Sequence, residues 1–287
     1  MPPERNNQHN LKELAARLVE VPAQVLSGAG LSTESGIPDY RSPESLERRH
    51  EPLQFQEFRR SEAARQHYWA RSHAAWRRMR SVKPNAGHLA VTQLQDAGAV
   101  RGILTQNVDG LHQQAGSRDV IELHGSLARV RCLDCGTPET MTAYQERLAL
   151  LNPGAARSEG ELNPDGDSEL SRTETAGFRP AACLICGGIM KTDVVFFGEN
   201  VPVATVDRAW EQYAEAGALL VLGSSLAVRS GLRFAERAAR DGKPVWIITD
   251  GVTRADGLAD LKIAGRLGTT LSGLARTVTE LTSAATG

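Results

Sequence analysis

The sequence has no long apolar run, no marked excess of charge of either sign and no cysteine outside two pairs. Its longest uninterrupted apolar stretch, Ala218–Leu222, is far shorter than the roughly 20 residues of a membrane-spanning helix. Because 33 basic residues are balanced by 34 acidic ones, the net charge is -1, and the chain offers no bulk positive field to nucleic acid or anionic lipid. The N-terminal residues lack the apolar stretch of a secretory signal. We therefore expect a cytoplasmic protein without membrane or nucleic-acid partners, and the oligomeric state stays open.

Short apolar segments alternate with amphipathic ones over most of the chain. The pattern predicts strands at 23–26, 100–105, 219–222 and 245–249, and helices at 11–19, 86–96, 206–215, 231–240 and 272–281. This alternation is typical of an α/β protein with a doubly wound parallel sheet, which binds ligands at the carboxyl ends of its strands. Two segments interrupt the pattern. Residues 44–83, with ten basic and five acidic side chains, predict a helical insertion, and residues 151–180 predict a long loop or a mobile arm.

A glycine-rich turn follows the first predicted strand. Gly28 and Gly30 permit tight turning and close approach of a ligand to the backbone, and the N–H groups that follow can hold a pyrophosphate. The dinucleotide-binding fingerprint has a third glycine where this chain has Thr33, so a purely structural turn is an open alternative. The continuation Pro38–Arg41 favours a loop over a bound ligand, with Arg41 available to phosphate.

Polar residues end two further strands. Gln106–Asp109 and Gly223–Ser225 place amide, carboxylate and hydroxyl groups at the edge where an α/β sheet binds ligands, although an Asx-type turn would have the same composition. His124, beside a glycine, is either a satisfied structural residue or a general base.

The four cysteines form two Cys-x-x-Cys pairs. Cys132 with Cys135, and Cys183 with Cys186, are each followed by glycine, as in a zinc knuckle. Two knuckles supply the four sulfurs of a closed, tetrahedral structural zinc site, which leaves no position for water. Redox use of either pair is the alternative.

Taken in order, these motifs resemble the sirtuin family of NAD-dependent protein lysine deacylases. The motifs are GAGLSTESGIPDYR at 28–41, TQNVDGLH at 105–112, LHG at 123–125, the cysteine pairs, DVVFFGE at 193–199 and GSS at 223–225. Tyr40, the sequence DGD at 165–167 and the sequence YWAR at 68–71 are most similar to the class II, mitochondrial sirtuin-4-like branch. A bacterial-type member is expected.

The resemblance implies a Rossmann-like large domain that binds NAD, formed by residues 1–43, 84–128 and 189–287. A helical insertion at 44–83 and a zinc-binding small module at 129–188 form the other wall of a cleft. The implied NAD-binding residues are Gly28, Ala29, Gly30, Ser32, Thr33, Pro38, Asp39, Tyr40, Arg41, Gln106, Asn107, Val108, Asp109, Gly223, Ser224, Ser225, Thr249, Asp250, Gly251 and Leu267.

The resemblance also implies three catalytic residues. Asn107 would orient the ribose and a water molecule, Asp109 would hold the departing carboxamide, and His124 would accept a proton from a ribose hydroxyl. The products would be free lysine, nicotinamide and O-acyl-ADP-ribose.

An acyl-lysine protein or peptide is the implied substrate, bound as an added strand. We expect it beside Val195, Phe196, Phe197, Gly198 and Glu199. Tyr68 and Arg71 share a helix face, and a Tyr-x-x-Arg pair in a related sirtuin branch selects carboxylated acyl chains. Plain packing with a solvated arginine is the alternative.

Two other functions stay open from the sequence. The same NAD site would serve a protein ADP-ribosyltransferase, which consumes NAD without an acylated substrate. A zinc-ribbon nucleic-acid-binding protein would use residues 44–83 as a basic face.

Overall fold

A computed structural model describes residues 3–40, 52–155 and 162–286. Its α-helices are α1 (Pro3–Glu20), α2 (Phe55–Arg60), α3 (Glu62–Ser81), α4 (Ala86–Asp96), α5 (Leu111–Gln114), α6 (Met141–Leu151), α7 (Val203–Glu215), α8 (Arg229–Arg240) and α9 (Leu267–Thr286). Its strands are β1 (Ala23–Ser27), β2 (Val100–Thr105), β3 (Val120–Glu122), β4 (Gly125–Cys132), β5 (Pro138–Thr140), β6 (Met190–Val194), β7 (Ala218–Leu222), β8 (Val245–Ile248) and β9 (Leu261–Ile263).

Six strands form the large sheet, in the order β3-β2-β1-β7-β8-β9. All neighbouring pairs are parallel. The strand order reverses between β1 and β7, and in such sheets ligands bind in the crevice outside the carboxyl ends at that point. The predicted α/β fold with a doubly wound, Rossmann-like parallel sheet is therefore confirmed.

Both faces of the large sheet are covered by helices. Val25 and Leu220 point to a core shared with α1, α4 and α9, whereas Leu26 and Val221 point to a second core with α7 and α8. Neighbouring residues of a strand face opposite sides, so a strand buried on both faces is a continuous apolar run. This explains why the central strands could be found from the sequence as uninterrupted apolar segments.

A second sheet, β5-β4-β6, is antiparallel and belongs to a small module. The core of this module joins the helical insertion to the cysteine-containing segment. Trp69 packs on Tyr144, with their ring centroids 4.4 Å apart, and it donates a hydrogen bond to the carbonyl of Met190. The two segments predicted as separate modules thus share one core. β6 pairs with β4, although the predicted domain boundary at residue 189 assigned it to the large domain.

The 151–180 segment packs onto the small module where the structure describes it. Leu162 and Phe178 are buried, and Asn163 and Asp167 are bonded to each other through backbone and side chains. Residues 162–180 therefore form a packed loop, the first of the two predicted alternatives. Residues 44–51, which begin the predicted insertion, lie outside the described part of the chain. Across the described residues, no helix is both long and apolar enough to cross a membrane.

Candidate active site

The turns after β1 and β7 touch each other at the switch point of the large sheet. The N–H of Gly30 donates to the carbonyl of Gly223 at 2.9 Å. A Cβ atom on Gly28 would lie 2.7 Å from Cβ of Ser224, and one on Gly30 would lie 2.8 Å from the Gly223 oxygen. Glycine at 28 and 30 is therefore required by the close packing of the two turns.

A hydrogen-bonded network joins the turn after β1 to the loop after β2. Ser32 donates from Oγ to the carboxylate of Asp109 at 2.7 Å, and the Asn107 amide donates to Ser32 Oγ at 3.0 Å and to the carbonyl of Gly28 at 3.1 Å. The N–H of Leu111 donates to the other oxygen of Asp109. Burial raises the pKa of Asp109 in spite of these hydrogen bonds. The structure thus brings four of the predicted site residues into contact.

His124 lies between β3 and β4, and both of its ring nitrogens have partners. Nδ1 is 3.0 Å from the carbonyl oxygen of Gln106, and Nε2 is 2.8 Å from Oγ of Ser230. Because a carbonyl only accepts hydrogen bonds, we assign the proton of the neutral ring to Nδ1, which leaves the Nε2 lone pair to accept. Burial lowers the pKa of His124, and the charge of Arg233 lowers it further. The imidazole is therefore neutral at pH 7 and can take up a proton at Nε2.

Gln106 connects the His124 ring to the turn after β7. Its side-chain oxygen accepts a hydrogen bond from Ser224, and its carbonyl accepts the one from His124. A Cβ atom on Gly231 would lie 2.6 Å from the Gln106 amide nitrogen, so α8 packs directly on this side chain. The His124 ring and the glycine-rich turns thus belong to one connected network.

The remaining predicted NAD-binding residues surround the same edge of the sheet. Thr33 donates a hydrogen bond to the carbonyl of Gly30. Leu267, at the start of α9, is buried against Gly223, since a Cβ atom on Gly223 would lie 2.6 Å from the Leu267 side chain. Others lie in the loops that leave this edge: Ala29, Pro38, Asp39, Tyr40, Val108, Ser225, Thr249, Asp250 and Gly251. Arg41 lies outside the described residues.

The four cysteines converge at one end of the small module. Their sulfur atoms all lie within 4.8 Å of one another, and the closest pairs, at 3.6 Å, are Cys132 with Cys186 and Cys135 with Cys183. A tetrahedral zinc with bonds of about 2.3 Å requires sulfurs about 3.8 Å apart, so the observed cluster fits this ion. The close pairs join one knuckle to the other, which is the arrangement of a shared metal site. The redox alternative has no support from this geometry.

The predicted substrate segment follows β6 and passes the base. The N–H of Val195 donates to the carbonyl of His124 at 2.8 Å. Glu199 accepts from the N–H of Phe196 and forms an ion pair of 3.1 Å with the buried Lys191. Phe197 is 43% exposed, whereas Phe196 is buried. Hydrogen bonds and an ion pair therefore hold the segment in place, while the side chain of Phe197 is accessible to a ligand.

Tyr68 and Arg71 lie on one face of α3, as predicted, but both have partners within the chain. Tyr68 donates to Oγ1 of Thr192 at 2.7 Å. Arg71 forms an ion pair of 2.9 Å with Asp167 and donates from Nε to the carbonyl of Ser168 at 3.0 Å. The alternative of a solvated arginine is therefore wrong.

Residues 28–230 match the Sir2 family of proteins. The chain belongs to the Sir2, or sirtuin, family. NAD-dependent protein deacetylase 1 of Streptomyces coelicolor is 50% identical over 251 residues, which cover 88% of this chain and 84% of that protein. NAD-dependent protein deacylase sir-2.2 of Caenorhabditis elegans is 46% identical over 245 residues, with 83% and 85% covered. A Sir2–p53 peptide–NAD+ complex superposes with a TM-score of 0.73 at 28% identity, with 94% of this chain and 97% of that one covered.

Membership of the sirtuin family confirms the predicted enzyme class, an NAD-dependent protein deacylase, and NAD as its cofactor. The zinc assignment is supported by the sulfur geometry. Sequence reasoning missed two polar residues of this sirtuin site. Ser230 was absent from every motif, although the serine precedes a predicted helix, and Lys191 lies in β6, a strand of mixed polarity (MKTDV) that the sequence pattern did not predict. Neither had a signal, because a single polar residue gives no periodicity.

Proposed function

We propose that this sirtuin removes acyl groups from lysine side chains of a protein or peptide, with His124 as the general base. The observation that carries the proposal is the neutral, buried imidazole of His124. Its Nε2 atom faces a hydroxyl at 2.8 Å, and its Nδ1 atom is linked through Gln106 to the turn after β7, at the point where the strand order of the sheet reverses. A ribose hydroxyl at the position of Ser230 Oγ would meet an acceptor with hydrogen-bond geometry.

When bound, NAD would supply a cleavable bond between its ribose and nicotinamide. The anomeric carbon of that ribose is the atom that the acyl oxygen would attack. In this proposal, the amide of Asn107 orients the ribose and a water molecule. The carboxylate of Asp109 accepts hydrogen bonds from the departing carboxamide, and His124 accepts a proton from a ribose hydroxyl at Nε2. The network through Ser32 supports these roles, because it fixes the side chains of Asn107 and Asp109 before a ligand arrives. Free lysine, nicotinamide and O-acyl-ADP-ribose are the products.

We propose these NAD-binding residues because they share one position in the fold. The glycine turn at 28–33, the loop at 38–41, the segment at 106–109, the turn at 223–225, residues 249–251 and Leu267 all follow strands at one edge of the sheet or border that edge. Backbone N–H groups of a tight turn bind phosphate well, and the glycines at 28 and 30 let the turn after β1 pack closely against the turn after β7 at this edge.

The zinc held by Cys132, Cys135, Cys183 and Cys186 is proposed as purely structural. With four protein sulfurs it has no open position for a substrate or water. The ion would hold together the end of β4 and the chain that leads into β6, which continues to the substrate segment.

The acyl-lysine peptide is proposed to bind beside Val195–Glu199 and the chain after Ser225. The exposure of Phe197 and the hydrogen bond between Val195 and His124 support this position. We further propose a class II, sirtuin-4-like branch, on Tyr40, Tyr68, Arg71 and the sequence DGD at 165–167, and a cytoplasmic location. The division into a large domain (1–43, 84–128, 189–287), an insertion (44–83) and a zinc module (129–188) stays a proposal.

The test is nicotinamide release from NAD with and without an acetyl-lysine peptide. Release that depends on the peptide, and that falls by about 10²-fold or more in His124→Ala, is expected for a deacylase with this base. Calorimetric titration with NAD checks that the variant still binds the nucleotide. Equal release without any acylated peptide, with ADP-ribose attached to protein, would favour the transferase instead.

A further inference from the structure

An arginine of the small module is bound by a carboxylate of its own chain. Arg71, on α3, pairs at 2.9 Å with Asp167 in the segment that packs on the module. The pair is almost fully buried, with 11% of the arginine side chain and 5% of the aspartate side chain exposed. Asn163 donates to the same carboxylate oxygen at 2.8 Å, and Arg71 also donates to the carbonyl of Ser168. Asp167 is therefore held in place on the guanidinium by neighbours on both sides.

The pair lies next to the segment that passes the catalytic base. The ring of Tyr68, one turn before Arg71 on α3, lies 5.2 Å from the ring of Phe196. The ring of Tyr40 lies 6.5 Å from that of Phe197. The aromatic side chains of 40, 68, 196 and 197 thus connect the Arg71–Asp167 pair with the segment bonded to His124.

The charge of the neighbourhood is unfavourable to a second anion. Asp165 lies close enough to Asp167 for its charge to raise the pKa of the Asp167 carboxyl, which burial raises most. Arg71 is the partner of Asp167, and Glu169 adds a further acidic group at 3.4 Å from the same guanidinium nitrogen. A carboxylated ligand that reached this guanidinium would meet the buried Asp167, the neighbouring Asp165 and Glu169, and an arginine that is already paired.

We propose that Asp167 determines the acyl specificity of this enzyme: its carboxylate occupies the position on Arg71 that an acidic acyl chain would need. The enzyme would then remove uncharged acyl groups in preference to succinyl or glutaryl groups. The inference rests on the proposed deacylase function. It reverses the expectation from the Tyr-x-x-Arg pattern alone, because that pattern does not include the internal partner. Discrimination here comes from repulsion of the wrong acyl group as much as from attraction of the right one.

The experiment compares kcat/KM for acetyl-, succinyl- and glutaryl-lysine versions of one peptide. The wild type should favour acetyl-lysine. In Asp167→Asn the amide keeps the shape of the side chain but removes the competing charge. The ratio of succinyl to acetyl kcat/KM should therefore rise by roughly tenfold or more. Adding Arg71→Met to this variant should cancel the gain. Asp96→Asn, which breaks an exposed pair with Arg118, is the matched control and should leave the ratio unchanged.

Several outcomes would overturn the proposal. A wild-type enzyme that removes succinyl or glutaryl groups faster than acetyl groups contradicts it, as does a folded Asp167→Asn variant with an unchanged ratio. If Asp167→Asn does not fold, Arg71→Met in the wild-type background decides. A selective loss of succinyl activity in that variant would mean that Arg71 reads the acyl carboxylate after all. No turnover of any acyl peptide by the wild type would instead contradict the deacylase function itself.

Discussion

Nε2 of His124 lies 2.8 Å from Oγ of Ser230, the second residue of α8. The hydroxyl is the donor, because Nδ1 of the imidazole is held by a backbone carbonyl. A hydrogen bond to the lone pair stabilises the neutral ring, and so adds to the lowering of the His124 pKa that burial causes. In the proposed mechanism, Ser230 is therefore a positioning residue that fixes both the orientation and the protonation state of His124.

The acid limb of the pH profile should report this contact. Because burial lowers the pKa of His124 from its usual 6.5, the ring stays neutral to a lower pH than a free imidazole does, and the acid limb of kcat/KM should have its midpoint below pH 6.5. Ser230→Ala removes the donor, and the limb should move to higher pH by up to about one unit. The measurement is kcat/KM for acetyl-lysine peptide between pH 5 and 8. A uniform loss at every pH, without movement of the limb, would assign Ser230 a structural role only.

Two buried histidines should make folding sensitive to acid. His88 and His112 lie 5.2 Å apart between ring centroids, and burial lowers the pKa of His88 to about 4 and that of His112 to about 3. Between pH 6.5 and 4 the unfolded chain binds protons that the folded chain does not, so the free energy of unfolding decreases as the pH falls. For His88 the decrease is on the order of 3 kcal/mol.

Urea unfolding at several pH values measures this effect. In His88→Gln the slope of stability against pH between 6.5 and 4 should be smaller than in the wild type, because one titrating group has been removed. His9→Gln is the control, since the side chain of His9 is exposed on α1. Parallel slopes for the wild type and His88→Gln would contradict the prediction.

Removing one sulfur should release the zinc. In Cys135→Ser the loss of one zinc ligand should lower the affinity for zinc by about 10²-fold or more, and the melting temperature should fall with it. Thr137→Val removes the hydroxyl 3.2 Å from the Cys135 sulfur and should have a milder effect, about 10- to 100-fold. Zinc content by mass spectrometry and thermal unfolding check both variants. Full zinc loading of Cys135→Ser would exclude the four-sulfur site.

The contact between the two glycine turns predicts a strongly position-dependent effect of alanine. Gly30→Ala introduces a Cβ 2.8 Å from the Gly223 oxygen, so the turns must separate, at a cost of about 1–3 kcal/mol in unfolding free energy. Affinity for NAD should fall in the same variant. Gly257→Ala, whose Cβ would meet nothing within 4 Å, is the control and should change stability by about 0.5 kcal/mol or less. Equal effects of the two substitutions would refute the packing argument.

The parts of the fold that the sequence predicted best are those determined by local pattern. The strand at 100–105 and the helix at 86–96 have the predicted bounds, because an apolar run and a helical period are visible within a few residues. The helix predicted at 11–19 begins at Pro3, since its first turns are polar and leave no periodic signal. The cysteine pairs could be recognised equally well in the sequence, because metal ligation imposes a fixed spacing.

What the sequence could not supply are contacts between distant segments. The ion pair of Arg71 with Asp167 joins residues 96 positions apart, and the core shared by Trp69 and Tyr144 joins two predicted modules. Nothing in the local pattern of either partner indicates the other. The predicted site residues were found through sequence motifs. The contact of the Ser230 hydroxyl with His124 could not be found in this way, because it depends on the packing of α8 on Gln106.

The position of His124 has a mechanical consequence. The last residue of β3 is Glu122 and the first of β4 is Gly125, so the base sits on the short connection by which the chain passes from the parallel sheet to the antiparallel one. The N–H of Val195, just after β6, donates to the carbonyl of His124, so the connection that enters β4 and the one that leaves β6 are tied to each other at this residue. If the small module rotates against the large sheet about these two connections, the imidazole moves less than the outer ends of either unit.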